Sequence, residues 1–384
     1  MRKILTVLVD RANFGRLWPV MKQIQQHPQL KLQTLCAGSM VLERFGRPVD
    51  IVEKMGFTVD ARVYMELEGS VPLSMAKSLG IGVMEFASEV SRLAPDIVLL
   101  IGDRYEALAA ALASVYSNVT LAHIQGGEVS GSVDESARHA ITKLAHYHFP
   151  ATRRAAEFVT RMGETPDTVF PVGCPCGDFI RQLDLKLPDD VFAGGDPAVV
   201  VDPRKPYFLV IYHPVTTEFG DERHQVSELL GALEEFHRPT VWLWPNIDAG
   251  SDHISKELRR FRTQKHPEWL KFLVNFTPEN FQRVLANAAC AIGNSSSFVR
   301  DSTFTGAPVV LIGDRQEGRE LGHNAVVVPS EKDAIRTAIE KQVKHGRYPA
   351  DALYGDGFAA EKIVARLAEI PLYTQKHLAY IHGG

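Results

Sequence analysis

Acidic side chains follow two predicted strands of the chain at positions suited to proton transfer. Asp103 comes directly after the apolar run 97–101 (IVLLI). Glu128 follows the glycine pair 126–127, and Asp134 lies at the predicted start of a helix. Carboxylates of this kind take a proton from carbon or stabilise a cationic sugar centre. We therefore expect an acid–base site that includes Asp103, Glu128 and Asp134.

A second group of residues is suited to binding phosphate. The run 293–297 (GNSSS) lies between a predicted strand and a helix, where free N–H groups and hydroxyls donate to anions. An ordinary helix cap explains this run equally well. Arg315 and Arg319 add cations that suit a diphosphate. His213 directly follows another predicted strand, and beside a phosphate cradle it would donate a hydrogen bond or a proton to a leaving group.

Several other kinds of site are not indicated. The sequence has neither a P-loop motif nor a Gly-x-Gly-x-x-Gly motif after its first strand, which argues against ATP hydrolysis and against a dinucleotide cofactor. The four histidines between residues 123 and 148 lack metal-ligand spacing, so we expect no metal. Cys174 and Cys176 lack a partner pair and are interpreted as small buried residues.

These candidate residues lie in a chain whose predicted strands and helices alternate throughout. Such alternation indicates an α/β fold with parallel sheets covered by helices. Ligands bind such sheets beyond the carboxyl ends of the strands, so residues 10–11, 102–104 and 125–128 should share one rim. We also expect a long helix over 40–55.

The helix that carries Asp134 has its own predicted start. Ser132 is interpreted as its N-cap, with Glu135 at the spacing of a capping box. Asp134 and Arg138 are one turn apart and are expected to be able to pair.

Length and composition limit the class of protein. The chain has 384 residues, of which 45% are hydrophobic and 23% charged, which suggests two domains with separate cores. Its formal net charge of -4 argues against nucleic acid as a partner. No apolar run reaches the length of a membrane span. Four cysteines give no disulfide framework, so we expect a cytoplasmic protein.

We predict the following division of the chain. An amino-terminal domain with the candidate carboxylates covers residues 1–183, and a linker rich in turn residues covers 184–205. A second domain with the candidate phosphate-binding residues covers 206–365. The remaining tail, 366–384, is able to pack back on the first domain.

Taken together, the motifs resemble the UDP-N-acetylglucosamine 2-epimerases, and among them the hydrolysing branch that feeds sialic and legionaminic acid synthesis. The matching segments span nearly the whole chain. They are 11–14 (RANF), 102–108 (GDRYEAL), 123–131 (HIQGGEVSG), 134–143 (DESARHAITK), 213–216 (HPVT), 245–251 (PNIDAGS), 293–296 (GNSS) and 313–320 (GDRQEGRE).

The resemblance implies the GT-B architecture, in which two Rossmann-like domains face a cleft. It also implies a UDP-2-acetamido sugar as substrate, no cofactor, and a homo-oligomer, either dimer or tetramer. UDP would leave by elimination across C1 and C2, and water would add to the resulting 2-acetamidoglycal to release the 2-epimeric free sugar. Matched motif by motif, the residues expected to contact UDP are Arg11, Arg104, His213, Asn246, Ser295, Ser296, Asp301 and Arg315.

The same matching makes Asp103 and Asp134 catalytic. From their position near the strand ends we expect these two residues to carry the proton transfers, Glu128 to be able to assist, and His213 to act on the leaving group. Gln125 stands where many members have a catalytic glutamate, and we expect it only to position the substrate. Asp301 stands where a glutamate commonly holds the ribose hydroxyls, which shortens that contact by one methylene.

Two other functions remain open from the sequence. A glycosyltransferase of the same architecture would need a sugar acceptor, and the carboxylates of the first domain favour the epimerase over it. A nucleotide-sugar-binding regulator without activity is kept open by Gln125. The sequence leaves two substrates open, UDP-N-acetylglucosamine and UDP-2,4-diacetamido-2,4,6-trideoxyglucose.

Overall fold

The computed structural model describes residues 1–379, so the last five residues of the predicted tail, 380–384, lie outside the described part. The amino-terminal half forms a six-stranded sheet in the order β3-β2-β1-β4-β5-β6, with every neighbouring pair parallel. Its strands are β1 (Arg2–Leu8), β2 (Leu30–Ala37), β3 (Ala61–Val63), β4 (Ile97–Ile101), β5 (Thr120–Ile124) and β6 (Tyr147–Phe149). The helices of this half are α1 (Arg11–Gln26), α2 (Val49–Lys54), α3 (Pro72–Leu93), α4 (Tyr105–Tyr116), α5 (Asp134–Leu144), α6 (Arg153–Arg161) and α7 (Cys176–Gln182).

The second half repeats the arrangement in a sheet of order β12-β11-β10-β7-β8-β9, again parallel throughout. Its strands are β7 (Phe208–Ile211), β8 (Thr240–Leu243), β9 (Leu270–Leu273), β10 (Cys290–Gly293), β11 (Val309–Ile312) and β12 (Ala325–Val328). Its helices are α8 (Glu222–Glu234), α9 (Ser251–Lys265), α10 (Pro278–Asn287), α11 (Ser296–Arg300), α12 (Lys332–His345) and α13 (Ala359–Glu369). The predicted α/β class and GT-B architecture are confirmed.

Each sheet is buried on both faces, because its strands are apolar at nearly every position. In β1, Ile4 and Leu8 pack on one side with α1, whereas Leu5 and Val7 pack on the other side with α3 and α4. The second sheet is likewise covered on both sides, by α10 and α11 on one face and by α8, α9 and α12 on the other. Side chains of successive strand residues point to opposite faces, so nearly continuous apolar strands require helices on both.

The chain passes between the two sheets at two points that touch. The N–H of Cys174 donates to the carbonyl of Tyr354 at 2.7 Å. A Cβ atom added to Gly173 would lie 3.1 Å from the Cα of Gly355, so the absence of a side chain permits the close approach. We refer to these two touching segments, at residues 173–174 and 354–355, as the double crossing.

After the double crossing the chain returns to the first sheet. Helix α13 packs in the same core as α1, through buried Ile363 and Leu367 among others. The following segment stays there: the hydroxyl of Tyr373 donates to the carbonyl of His146 at 3.0 Å, and Lys376 pairs with Glu164. Helix α13 therefore extends across the predicted boundary at residue 365, and the domain limits remain predictions.

Two local predictions are wrong. The helix expected over 40–55 is limited to α2, because Gly46 and Arg47 adopt left-handed conformations and Pro48 follows them. Ser132 is not an N-cap, since α5 begins one residue later than that would require, and the Ser132 hydroxyl instead bonds to Asp134 at 3.1 Å. Among the helices of residues 1–379, none is long and apolar enough to cross a membrane.

Candidate active site

A cavity lies between the carboxyl ends of the two sheets, where the strand order of each reverses. The reversal falls between β1 and β4 in the first sheet and between β7 and β10 in the second, the place where doubly wound folds bind ligands. Ten of the predicted site residues line this cavity: Arg11, Asp103, Arg104, Asp134, His213, Asn246, Ser295, Ser296, Asp301 and Arg315.

The run 293–297, predicted to bind phosphate, forms part of the cavity wall through its three serines. Ser295 caps α11, accepting from the N–H of Ser297 at 3.3 Å. Gly293, with φ of +138°, brings the chain so close to β7 that an added Cβ would lie 2.0 Å from the Ile211 carbonyl oxygen. The glycine is therefore required for the turn that places the serine hydroxyls and the helix N-terminus at the cavity. We call residues 293–297 the phosphate cradle.

His213 is fixed beside the cradle as a neutral hydrogen-bond donor. Its backbone N–H donates to Asn294 Oδ1 at 2.7 Å. Its Nδ1 accepts from the backbone N–H of Asn246 at 3.1 Å, so the ring proton is on Nε2. Burial, together with the nearby cations of Arg315 and Arg11, lowers the pKa of His213 well below its usual value.

Arg16 is a site residue that sequence reasoning missed. Its Nη2 lies 3.1 Å from Ser296 Oγ and 3.4 Å from Ser297 Oγ. The side chain is buried in the cavity wall, and among residues 1–379 no carboxylate lies within ion-pair distance of it. A buried cation without a counter-ion costs free energy, so a bound anion would stabilise this arrangement. The signal in the sequence was a charged residue among the buried positions of α1.

Asp103 lines the same cavity in surroundings that favour its ionised form. Its Oδ2 accepts from Arg138 Nη2, and Arg319 Nη2 lies 3.9 Å away. Burial alone would raise the pKa of Asp103, but the cations of Arg138, Arg319 and Arg300 hold it far below its ordinary value. The expected pairing of Arg138 with Asp134 is therefore wrong, because the guanidinium reaches the end of β4 instead.

Asp134 has the opposite electrostatic environment. Its Oδ2 accepts from Arg315 Nη2 at 3.2 Å. Burial, followed by the negative charges of Asp103 and Asp248, raises the pKa of Asp134 to about 6. Two acids in one cavity thus titrate on opposite sides of the ordinary aspartate value, the pattern by which enzymes separate the roles of paired carboxylates.

The remaining predicted nucleotide contacts also face the cavity. Asp301 is buried, and its Oδ2 accepts from Gln282 Nε2 at 2.7 Å. Its Oδ1 has no partner within the described chain, which leaves an acceptor for a hydroxyl. Arg104 is held by Glu106 at 2.8 Å and by Asp248. Arg11 donates to the carbonyl of Val274 across the cavity.

Two predicted residues do not reach the cavity. Gln125 is fully buried, with φ of +66°, and its Nε2 lies 3.0 Å from Cys174 Sγ. Glu128 is buried in ion pairs with Arg300 at 2.6 Å and Arg319 at 3.2 Å. Their roles in the reaction remain predictions.

The described cysteines and acids form no metal site. In residues 1–379 no group of three or more His, Cys, Asp or Glu side chains is placed to hold a metal ion. Cys174 and Cys176 are buried and unpaired, which confirms their interpretation as small buried residues.

The fold and the cavity define a protein of GT-B class, with an anion cradle on one domain face and paired carboxylates on the other. The chain belongs to the UDP-N-acetylglucosamine 2-epimerase family, whose sequence model matches residues 22–368. The family resemblance inferred from the motifs is thereby confirmed.

Two relatives illustrate the similarity in sequence. A UDP-N,N'-diacetylbacillosamine 2-epimerase (hydrolyzing) from Legionella pneumophila is 33% identical over 97% of this chain and 97% of that protein. A UDP-N-acetylglucosamine 2-epimerase from Neisseria meningitidis is 30% identical over 93% of this chain and 92% of that protein.

Solved structures share the fold. The UDP-GlcNAc 2-epimerase of Methanocaldococcus jannaschii, in complex with UDP-GlcNAc and UDP, aligns with a TM-score of 0.79 at 18% identity, covering 95% of this chain and 99% of that one. The UDP-GlcNAc 2-epimerase of Neisseria meningitidis, bound to UDP-GlcNAc, aligns with a TM-score of 0.78 at 16% identity, covering 96% and 100%.

Proposed function

We propose that this protein is a hydrolysing 2-epimerase that converts a UDP-2-acetamido sugar into UDP and the 2-epimeric free sugar. The observation that carries the proposal is a single cavity lined both by the phosphate cradle and by two acids of opposed pKa. Family membership and the hydrolysing activity named for its Legionella relative support the same conclusion.

The first step of the proposed reaction is departure of UDP. The diphosphate lies on Ser295 and Ser296 and accepts hydrogen bonds from His213 Nε2 and from the guanidinium groups of Arg16 and Arg315. These donors are already in place, so they stabilise the charge that develops as the C1–O bond breaks. Asp301 holds the ribose hydroxyls with its free carboxylate oxygen.

The steps at C1 and C2 are assigned to the two acids. Asp134, ionised above its raised pKa, takes the proton from C2 while the electrons of the C1–O bond leave with UDP, which gives the 2-acetamidoglycal. Water then adds across the double bond of the glycal: its hydroxyl bonds to C1, its proton goes to C2 on the face opposite to Asp134, and Asp134 releases the proton it took to solvent. Asp103, which stays anionic, accepts a hydrogen bond from that water and stabilises positive charge at C1.

The sugar belongs to one of two groups. Relatives are named for UDP-N-acetylglucosamine and for UDP-N,N'-diacetylbacillosamine, which carries a second acetamido group. Either substrate presents the same C1, C2 and diphosphate to the cavity. The cytoplasmic location and the homo-oligomeric state expected from the sequence accompany this proposal as predictions.

Proton NMR of the purified protein in D2O, with each UDP-sugar supplied alone, tests the proposal. We expect release of UDP and the 2-epimeric free sugar from at least one of the two, with deuterium at C2, because the proton taken from C2 exchanges with solvent. Failure of both sugars to react would contradict the proposal. Product formation only after a sugar acceptor is added would instead identify a glycosyltransferase.

A further inference from the structure

A first-domain loop next to the catalytic carboxylates is held directly by the second domain. This loop, residues 128–131, connects the end of β5 to the start of α5. The N–H of Gly131 donates to the carbonyl of Arg315 at 3.2 Å. The Nε of Arg319 donates to the carbonyl of Val129 at 3.2 Å. These two hydrogen bonds join the loop of the first domain to the second domain across the cleft.

The strongest of these ties is an ion pair formed by Glu128. Its Oε2 lies 2.6 Å from Arg300 Nη2 and 3.1 Å from Arg300 Nε, and 3.2 Å from Arg319 Nη1. The three side chains are only 2–3% exposed. Removing one member of a buried pair leaves an uncompensated charge, so such pairs strongly favour the geometry that keeps them intact.

The 128–131 loop is also the support of both acids in the cavity. Arg138 donates to the carbonyl of Glu128 at 2.8 Å through one nitrogen and to the Asp103 carboxylate through the other. Asp134 follows the loop in sequence and bonds to Arg315, the residue whose carbonyl receives Gly131. A shift of the loop therefore moves the partners of Asp103 and Asp134 together.

We propose that Glu128 is a positioning residue whose ion pair with Arg300 fixes the 128–131 loop against the second domain and thereby positions Asp103 and Asp134 for the steps at C1 and C2. Glu128 lies outside the cavity lining and its oxygens are occupied by guanidinium groups, so it carries no proton in the reaction. This role for Glu128 rests on the proposed function, because its test measures the kinetics of the 2-epimerase reaction.

A double-mutant cycle with Glu128→Gln, Arg300→Met and the combined variant tests the proposal. Because the two residues act as one unit, each single variant should lower kcat about tenfold or more and leave the KM and the Kd for UDP within about twofold. The combined variant should be no slower than the slower single variant. Arg300→Lys, which keeps the charge, should recover part of the lost kcat.

Glu164→Gln is the matched control. Glu164 is equally buried and pairs with Lys143 and His148 of the first domain and with Lys376 of the segment that returns to it, and none of these residues lines the cavity. Its replacement should lower the melting temperature without changing kcat per folded molecule. If Glu128→Gln does not fold, Glu128→Asp, which keeps the charge and shortens the reach, is measured in its place and should show a reduced kcat.

Several results would overturn the assignment. Full kcat in the Glu128 variant would show that the ion pair does not position the acids. A slow Glu128 variant beside a fully active Arg300→Met variant would assign Glu128 a direct chemical role. If the unsubstituted protein converts neither UDP-sugar, the proposed function fails. Small-angle scattering with UDP then still tests whether the ion pair holds the loop to the second domain. The Glu128 and Arg300 variants should be less compact than the unsubstituted protein, and equal compactness would contradict the proposal.

Discussion

At the scale of single residues, the cavity separates two aspartates by their surroundings. Three guanidinium groups near Asp103 stabilise its negative charge, whereas burial and the negative charges of two other carboxylates destabilise the ionised form of Asp134. A group that must accept a proton and then release it works best when its pKa lies near the working pH. Asp134 meets that requirement, and Asp103 is suited to lasting electrostatic stabilisation.

Replacement of Asp134 by asparagine should lower turnover by about a hundredfold or more, the usual scale for a lost general base, with little change in UDP affinity. Because the carboxylate form is the active one and its pKa is about 6, kcat of the unsubstituted protein should fall as the pH drops through about 6. An unperturbed aspartate would keep activity down to about pH 4.

Variants of Gln125 provide the comparison for the activity of the Asp134→Asn variant. Its alanine variant should lose much less activity, and Gln125→Glu should remain active. Full turnover and full deuterium incorporation at C2 in the Asp134→Asn variant would show that another group takes the proton.

Residue types and spacing predicted most of the candidate residues that line the cavity, for a physical reason. Asp103, His213 and Ser295 each follow a buried parallel strand, and the ends of parallel strands share one edge. Glu128 also follows a buried strand, but its carboxylate forms ion pairs with Arg300 and Arg319 from the other half of the chain. Arg16 was missed because its partners, Ser296 and Ser297, are about 280 residues away. Contacts between distant segments leave no local pattern.

At the scale of elements, the phosphate cradle depends on the short helix α11 and on the sharp turn before it. The turn places the helix N-terminus at the cavity, where unpaired N–H groups and the helix dipole favour an anion. The strand–turn–helix order was visible in the sequence, whereas the helix predicted over 40–55 failed at a left-handed glycine and a proline.

Replacing Ser295 and Ser296 together by alanine should weaken UDP binding by about 1–3 kcal/mol, the scale of lost charge-assisted hydrogen bonds. Isothermal calorimetry measures the change. Ser295 also caps α11, so the Ser296→Ala variant alone separates binding from helix stability. Ser88→Ala is the control, since that hydroxyl bonds only to the Met84 carbonyl within α3. Unchanged UDP affinity in the double variant would place the nucleotide elsewhere.

At the scale of the whole molecule, the cavity exists because side chains of each half bond to the other. Arg104 pairs with Asp248 across it, and Arg11 reaches the carbonyl of Val274. Arg16 meets the cradle, and within residues 1–379 no carboxylate forms an ion pair with it. This arrangement of the two halves therefore has an electrostatic cost that a bound diphosphate would remove, and a ligand that interacts more favourably with one state shifts the population toward it.

Small-angle scattering with and without UDP should accordingly show a smaller radius of gyration when UDP is bound. Arg16→Gln removes the uncompensated charge and should reduce the difference between the two profiles. Identical profiles of the unsubstituted protein with and without UDP would mean that the cleft is closed from the start.

The double crossing has a consequence for the order in which this protein can fold during synthesis. The chain leaves the first sheet near Gly173 and comes back near Gly355, and α13 then fills the core beside α1. Every residue of the second sheet is thus translated before the helix that completes the first. The apolar face of the first sheet stays partly uncovered until then, although its strands are all made early. The half of the molecule that leaves the ribosome first is the last to be finished.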